Sequence, residues 1–292
     1  MSLARIMAPG DTPLVELSNL APSGTRLFAK LEWYNPTGSV KDRSAWYMFH
    51  NALELGLLHK NRPLIEATSG NTGIGLARLA IIYGYRIIIA LPSTSTEERK
   101  QMLRAYGAEL IEVNGGPNDC IEFVNKLVAE GEGHSCYQYG NRWNPYSHFL
   151  GTSLEIINQW PLRVPPAHLI AAYGTGGTLT GNSRGLRLQW PSIAIHSVEE
   201  DLGDTIGGMR SQEDPFQPPI ADLSLVTDRT VITRTEAELT VAEIMSAEGH
   251  FAGTSSGAVI RAAQKILERD GGNGVALLPD AGWKYLSGRP WS

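Results

Sequence analysis

Cysteine is nearly absent: Cys120 and Cys136 are the only two in 292 residues. Two thiols cannot build a disulfide framework, and their spacing matches no zinc motif. No run of Lys or Arg stands out and the net charge is −5, so a nucleic-acid partner is not expected. No apolar stretch is long enough to span a bilayer, and the opening MSLARIMAPGDTP lacks the continuous apolar core of a signal peptide. A cytoplasmic protein without a membrane partner is therefore expected. Internal repeats and low-complexity tracts are also missing. What is present is a globular balance, 42% hydrophobic against 19% charged, with length for two ordinary domains or one large α/β unit.

Short apolar runs alternate with longer amphipathic ones. The pattern predicts strands at 27–33, 63–68, 86–91, 108–113, 168–173, 193–198 and 274–279. It predicts helices at 41–56, 72–84, 95–106, 117–131, 146–159, 178–189, 236–248 and 257–269, with Gly84, Gly107 and Gly131 placed as helix-ending glycines. Strands that are apolar throughout, each followed by a helix, describe an α/β protein with mostly parallel sheets covered on both faces. The segment 200–235, rich in Asp, Gly and Pro, reads as one long loop of the kind that is functional or mobile.

Four segments carry chemistry. In NPTGSVKDR (35–43), Pro36 and Gly38 force a turn and Ser39 is placed as a helix N-cap. Lys41 then falls in the first helical turn, where the helix dipole favours the neutral amine that Schiff-base chemistry requires. Taken alone, such a lysine is ordinarily a solvated one. In EATSGNTGIGLA (66–77), the run Thr68, Ser69, Gly70, Asn71, Thr72 joins a strand to a helix and exceeds what a cap needs, so it can cradle a carboxylate. In YGTGGTLTG (173–181), Gly174, Thr175, Gly176, Gly177 and Thr178 can wrap a phosphate at a helix N-terminus, or form a tight structural turn. The dinucleotide pattern fails there because Leu179 stands where a glycine is needed, and no Gly-Lys-Ser/Thr follows for a P-loop. In FAGTSSGAVI (251–260), Ser255 could hydrogen-bond an aromatic nitrogen without giving it a full proton, although the segment by itself does not exceed a helix cap.

In this order and spacing, the four segments resemble those of the fold type II pyridoxal-phosphate enzymes, in the cysteine synthase and cystathionine β-synthase branch. RAYGAELIEV (104–113) and YQYGN (137–141) are similar to the B-type cysteine synthases, and FAGTSSGAV with DAGWKYLS (280–287) to O-phosphoserine sulfhydrylases. The resemblance implies a tryptophan synthase β-like fold of two three-layer α/β domains. The large one would comprise residues 1–36 and 147–292, with a small mobile one at 37–146 inserted between them.

It further implies roles. Lys41 would bind pyridoxal 5'-phosphate as a Schiff base and remove the substrate α-proton. Asn71 would meet the ring hydroxyl, Gly174 to Thr178 the phosphate, and Ser255 the pyridine nitrogen. Thr68 to Thr72, with Gln138, would hold the substrate carboxylate. A neutral hydroxyl at the ring nitrogen leaves a weaker electron sink than a carboxylate would, which suits elimination to an aminoacrylate over transamination. Arg210, in GDTIGGMR, would meet an anionic donor, so O-phosphoserine is expected ahead of O-acetylserine.

The partners implied are an amino-acid substrate, a sulfur donor (a carrier protein among the options) and a second copy in a homodimer. A cystathionine β-synthase core and a non-catalytic cofactor- or partner-binding protein on the same scaffold stay open. No regulatory domain and no haem ligand are expected. Arg142-Trp143 and Ser153-Leu154 depart from the pattern and are expected near the mouth of the site, where they bear on substrate identity.

Overall fold

The near-continuous apolar runs fold into two sheets, described over residues 7–68 and 70–288 of a computed structural model. The larger has the order β1-β2-β9-β6-β7-β8. Its strands are β1 (Leu14–Glu16), β2 (Arg26–Leu31), β6 (His168–Ala172), β7 (Ala194–Glu200), β8 (Asp228–Ile232) and β9 (Asn273–Leu278). Only the β1–β2 pair is antiparallel. The smaller sheet, β3 (Leu64–Ala67), β4 (Ile87–Pro92) and β5 (Glu109–Val113), is parallel throughout.

The helices are α1 (Lys41–Glu54), α2 (Asn71–Tyr83), α3 (Glu97–Ala105), α4 (Pro117–Ala129), α5 (Trp143–Ser147), α6 (Ser153–Gln159), α7 (Gly177–Gln189), α8 (Arg234–Glu248) and α9 (Thr254–Asp270). One apolar cluster joins α8 and α9 to β2, β6 and β9, and another packs α7 on the opposite face of the large sheet. Two more flank the small sheet. Gly84, Gly107 and Gly131 end α2, α3 and α4 with positive φ, as expected. Among the described residues no helix is long and apolar enough to cross a membrane. Both cysteines are buried free thiols, and burial pushes Cys120 up to about 11, so neither is a ready nucleophile.

Three expectations need correction. The segment 200–235 is not a single loop, because β8 adds to the edge of the large sheet beside β7 and α8 starts at Arg234. That helix starts two residues ahead of expectation because Thr233 and Glu236 form a capping box. The helix expected at 146–159 is α5 and α6 joined by a π-helical turn over 148–152, onto which the Ser153 hydroxyl, at the start of α6, folds back to donate to Phe149 O at 2.7 Å. Third, Arg142-Trp143 and Ser153-Leu154 lie away from any mouth of the site. Trp143 packs with Tyr47 and Tyr146, Arg142 and Leu154 are exposed, and Ser153 Oγ faces Gly185 on α7. None of the four lines the main cavity.

Candidate active site

In the large sheet, β6 is flanked by β9 and β7, and the chain leaves β6 toward β7. The carboxyl ends of β6 and β9 therefore diverge at a switch point, where loops on the two sides leave a crevice. A cavity of about 670 Å³ opens there, between the two sheets.

Lys41 lines it from the first residue of α1. The expected cap shifts by one position: Val40 is the N-cap residue, while Ser39 Oγ accepts the Lys41 N–H at 3.3 Å. Burial lowers the Lys41 amine below the ordinary lysine range, against the upward pull of Asp280 and Glu32. The rest of NPTGSVKDR builds the mount. The Asp42 carboxylate accepts the Thr37 N–H and hydroxyl at 2.9 Å. Arg43 forks onto Glu32 (2.7 and 2.9 Å) and onto Glu155 (2.6 and 2.7 Å). Fully buried Lys30 adds a fourth charge, 2.8 Å from Glu155. This salt-bridged core locks the start of α1 against β2 and α6.

Thr68, Asn71, Thr72 and Gln138 line the cavity from the small-sheet side. Thr72 Oγ1 donates to Gln138 Oε1 at 2.6 Å, and Gln138 Nε2 donates to Ala67 O at 2.9 Å, so the two segments expected to hold the substrate carboxylate are joined. Glu66 delivers Gln138: its buried carboxylate accepts the N–H groups of Tyr137 and Gln138, and burial raises it to about 7. Gly70 lies behind the cavity surface, at φ +153°, where a Cβ would sit 2.5 Å from Arg99 Cδ. Its N–H goes to Thr68 Oγ1 at 3.1 Å. Ser69 lies outside the described residues. The Asn71 amide is engaged at both ends, by Asp280 and Lys284.

Gly174, Thr175, Gly176 and Thr178 line the opposite wall, at the N-terminus of α7. Gly177 is set back, and a Cβ on it would fall 2.1 Å from Asn144 Oδ1. Gly176 adopts φ +80°, which a side chain would strain. Thr175 Oγ1 accepts from Asn144 Nδ2 (3.1 Å) and Gly177 N–H (3.4 Å), so its own hydrogen is left to donate. Ser255, in the first turn of α9, lines the cavity, whereas Ser256 turns away onto Asp280 O at 3.3 Å.

Arg210 also lines the cavity but is not a solvated loop arginine, being 6% exposed. Its guanidinium lies about 5 Å from the Tyr139 and Phe216 ring centroids. Nη1 donates to Asp214 at 2.9 Å and Nη2 to Asn118 at 3.0 Å, tying the loop after β7 to α4.

The sequence reading missed Arg99, Glu200 and Tyr285 on the cavity wall, with Asp280 and Lys284 packed behind. Arg99 sits in the charge-rich run TEERK, where nothing marks one cation as buried. Glu200 ends β7, and burial raises its carboxyl to about 7.

The donors fit pyridoxal phosphate: a desolvated amine for its aldehyde, a helix N-terminus with an unspent threonine hydroxyl for its phosphate, and a neutral hydroxyl for its ring nitrogen. Comparison with known proteins agrees. The pyridoxal-phosphate dependent enzyme family matches residues 6–280. The chain is 39% identical over 282 residues to cysteine synthase B of Salmonella typhimurium, covering 95% of this chain and 92% of that protein. It is 33% identical over 291 residues to O-ureido-L-serine synthase of Streptomyces lavendulae, covering 95% and 89%. The crystal structure of cysteine synthase from Entamoeba histolytica superposes with a TM-score of 0.85 at 32% identity, covering 100% of this chain and 92% of that one. This chain belongs to the pyridoxal-phosphate dependent enzyme family, with the α/β fold of its cysteine synthase relatives.

Proposed function

We propose that the chain makes L-cysteine by replacing the β-substituent of an activated serine with sulfur, with O-phosphoserine preferred to O-acetylserine. The observation that carries this reading is the convergence of Lys41, the Gly174–Thr178 turn, Ser255 and the Thr68–Gln138 wall on one cavity. When bound, pyridoxal phosphate supplies the electron sink for elimination and addition at the β-carbon. Lys41 Nζ, made less basic by burial, anchors the cofactor and takes the α-proton. Thr68, Thr72 and Gln138 receive the substrate carboxylate, together with Ser69 and the Asn71 backbone N–H of the same sequence segment, which leaves the Asn71 side chain for the cofactor ring. The loop after β7 excludes water, and residues 37–146 move as a small domain that opens and shuts the cavity against the rest. A homodimer in the cytoplasm is the proposed assembly, closed two-fold dimers being the commonest oligomers.

The test is a side-by-side assay of O-phosphoserine and O-acetylserine with sulfide, and of serine with homocysteine. Higher kcat/KM for O-phosphoserine supports the reading, and cystathionine as the main product overturns it. A cofactor absorbance band that no amino acid shifts would mean a binding protein instead.

Arg210 carries the donor preference. A dianionic phosphate would take the place of Asp214 on the guanidinium fork, a bidentate charge-assisted contact that an acetyl ester cannot make. Arg210→Ala should lower kcat/KM for O-phosphoserine on the order of tenfold or more, and for O-acetylserine far less. Equal losses on both donors would make Arg210 a strut between the loop and α4.

Ser255→Ala should weaken the contact with the cofactor ring and cost the cofactor-loaded protein only about 1 kcal/mol of stability, as for one neutral hydrogen bond. Ser255→Asp should slow β-replacement or raise side reactions, because a carboxylate there would hold the ring nitrogen in its protonated form. Unchanged product ratios in the aspartate variant would remove the ring nitrogen from the neighbourhood of Ser255.

A further inference from the structure

Lys284 is a fully buried lysine on the short 3-10 turn Gly282–Tyr285. Taking an ammonium out of water costs several kcal/mol, so an apolar side chain would fill the space more cheaply if packing were the only requirement. Its Nζ donates to Asn71 Oδ1 at 2.8 Å. On the other side of the same amide, Asn71 Nδ2 donates to Asp280 Oδ2 at 2.7 Å. That carboxylate oxygen also accepts the Tyr285 hydroxyl at 2.9 Å, and Arg99 Nη2 donates to the Tyr285 oxygen at 2.7 Å. Asp280 Oδ1 is buried with no hydrogen-bond partner among the described residues, and the carboxylate pulls on the Lys284 charge. Burial pushes Lys284 down to about 8, against the pull of Asp280 and Asp42, so it is mostly charged at neutral pH.

An amide has one acceptor oxygen and two N–H donors. With Oδ1 held by an ammonium and one N–H held by a carboxylate, a single N–H is left over. The flipped amide would set NH₂ against an ammonium and oxygen against a carboxylate, so only one orientation is allowed. Asn71 stands at the first position of α2, on the cavity wall. We infer that Lys284 and Asp280 are positioning residues that lock the Asn71 amide with an N–H, not its oxygen, turned to the cavity. The locked amide then offers a donor to an oxygen acceptor there, of which the phenolic oxygen of pyridoxal phosphate is the one the cofactor supplies. The inference rests on the cofactor and on Asn71 facing its ring, not on which serine ester is consumed.

The test compares Lys284→Met, Lys284→Arg and Asn71→Asp as cofactor-loaded proteins. The readouts are the visible absorbance band, the rate of cofactor loss, and the melting temperature with and without cofactor. Lys284→Met should shift the band to shorter wavelength, as the phenolic oxygen loses its donor, and speed cofactor loss on the order of tenfold. Lys284→Arg, which keeps a cationic donor, should restore both. Asn71→Asp keeps an acceptor for Lys284 but has no N–H, so it should shift the band like Lys284→Met, and the double variant should shift it no further. A Lys284→Met protein with a normal band and normal cofactor retention but a lower melting temperature would reduce Lys284 to packing. If Lys284→Met does not fold, a normal band in Asn71→Asp overturns the inference by itself. The cofactor band does not depend on the donor, so the cysteine synthase reading can fail in product assays while this one stands.

Discussion

Lys41→Ala should lower β-replacement by at least about 10³-fold, since a positioned general base contributes 10²–10⁴-fold and the covalent anchor is lost with it. The fold should survive, because the lysine supplies chemistry more than packing. Burial already works against its charge, and no ion pair is formed by Lys41 among the described residues. The cofactor-free variant should therefore melt within a few degrees of the parent while losing the visible band that responds to amino acids. Turnover at the parent rate in pure protein would remove the central assignment, whatever the cavity looks like.

Arg43→Ala should have the largest effect on stability, about 3–5 kcal/mol, read as a fall in the denaturant midpoint at unchanged slope. Among the described residues, removing the guanidinium leaves the buried Glu32 carboxylate with only the neutral Thr12 and Asn35 donors, and leaves Glu155 with Lys30 as its one cation. Activity should fall with it, because α1 carries Lys41 two residues before Arg43. A loss below about 1 kcal/mol would show that the charge cluster is incidental.

The same cluster gives a pH signature. Hydrogen bonds from Arg43 and Lys30 overcome burial and hold the Glu155 carboxyl down at about 2. A depressed carboxylate contributes its stability in full above the unfolded value of about 4.3 and loses it as pH falls toward the folded one. Stability should therefore drop between about pH 5 and pH 2, and Glu155→Gln should flatten that part of the curve. An unchanged acid limb in the variant would assign the acid sensitivity to other groups.

The fold class followed from local pattern alone. Residues 168–172 and 274–278 are apolar enough to demand burial on both faces, and that suffices for a parallel α/β sheet. The two edge strands of the large sheet escaped notice for the converse reason. β1 has three residues, and β8, DRTVI, buries only Ile232, so neither shows a continuous apolar run.

Site segments at strand-to-helix junctions were equally legible. The glycines, hydroxyls and lysine at positions 41, 68, 70–72, 174–178 and 255 sit at strand-to-helix junctions, where backbone N–H groups are left unpaired, and local order is enough to find such places. The partners that tune them were not. Arg43 meets Glu155 across 112 residues of chain, and Asn71 meets Asp280 across 209. In the sequence each is one more charged or polar residue with a solvated alternative.

Local pattern along the chain was enough for the class of fold, the order of its central strands and helices, and the motifs that point to pyridoxal phosphate. The folded chain alone shows that Arg142-Trp143 and Ser153-Leu154 stand clear of the cavity, that Arg210 has partners on two elements, and that Lys284 is buried against Asn71. Periodicity and turn chemistry act over a few residues, whereas burial of a charge depends on which distant surfaces the fold brings together.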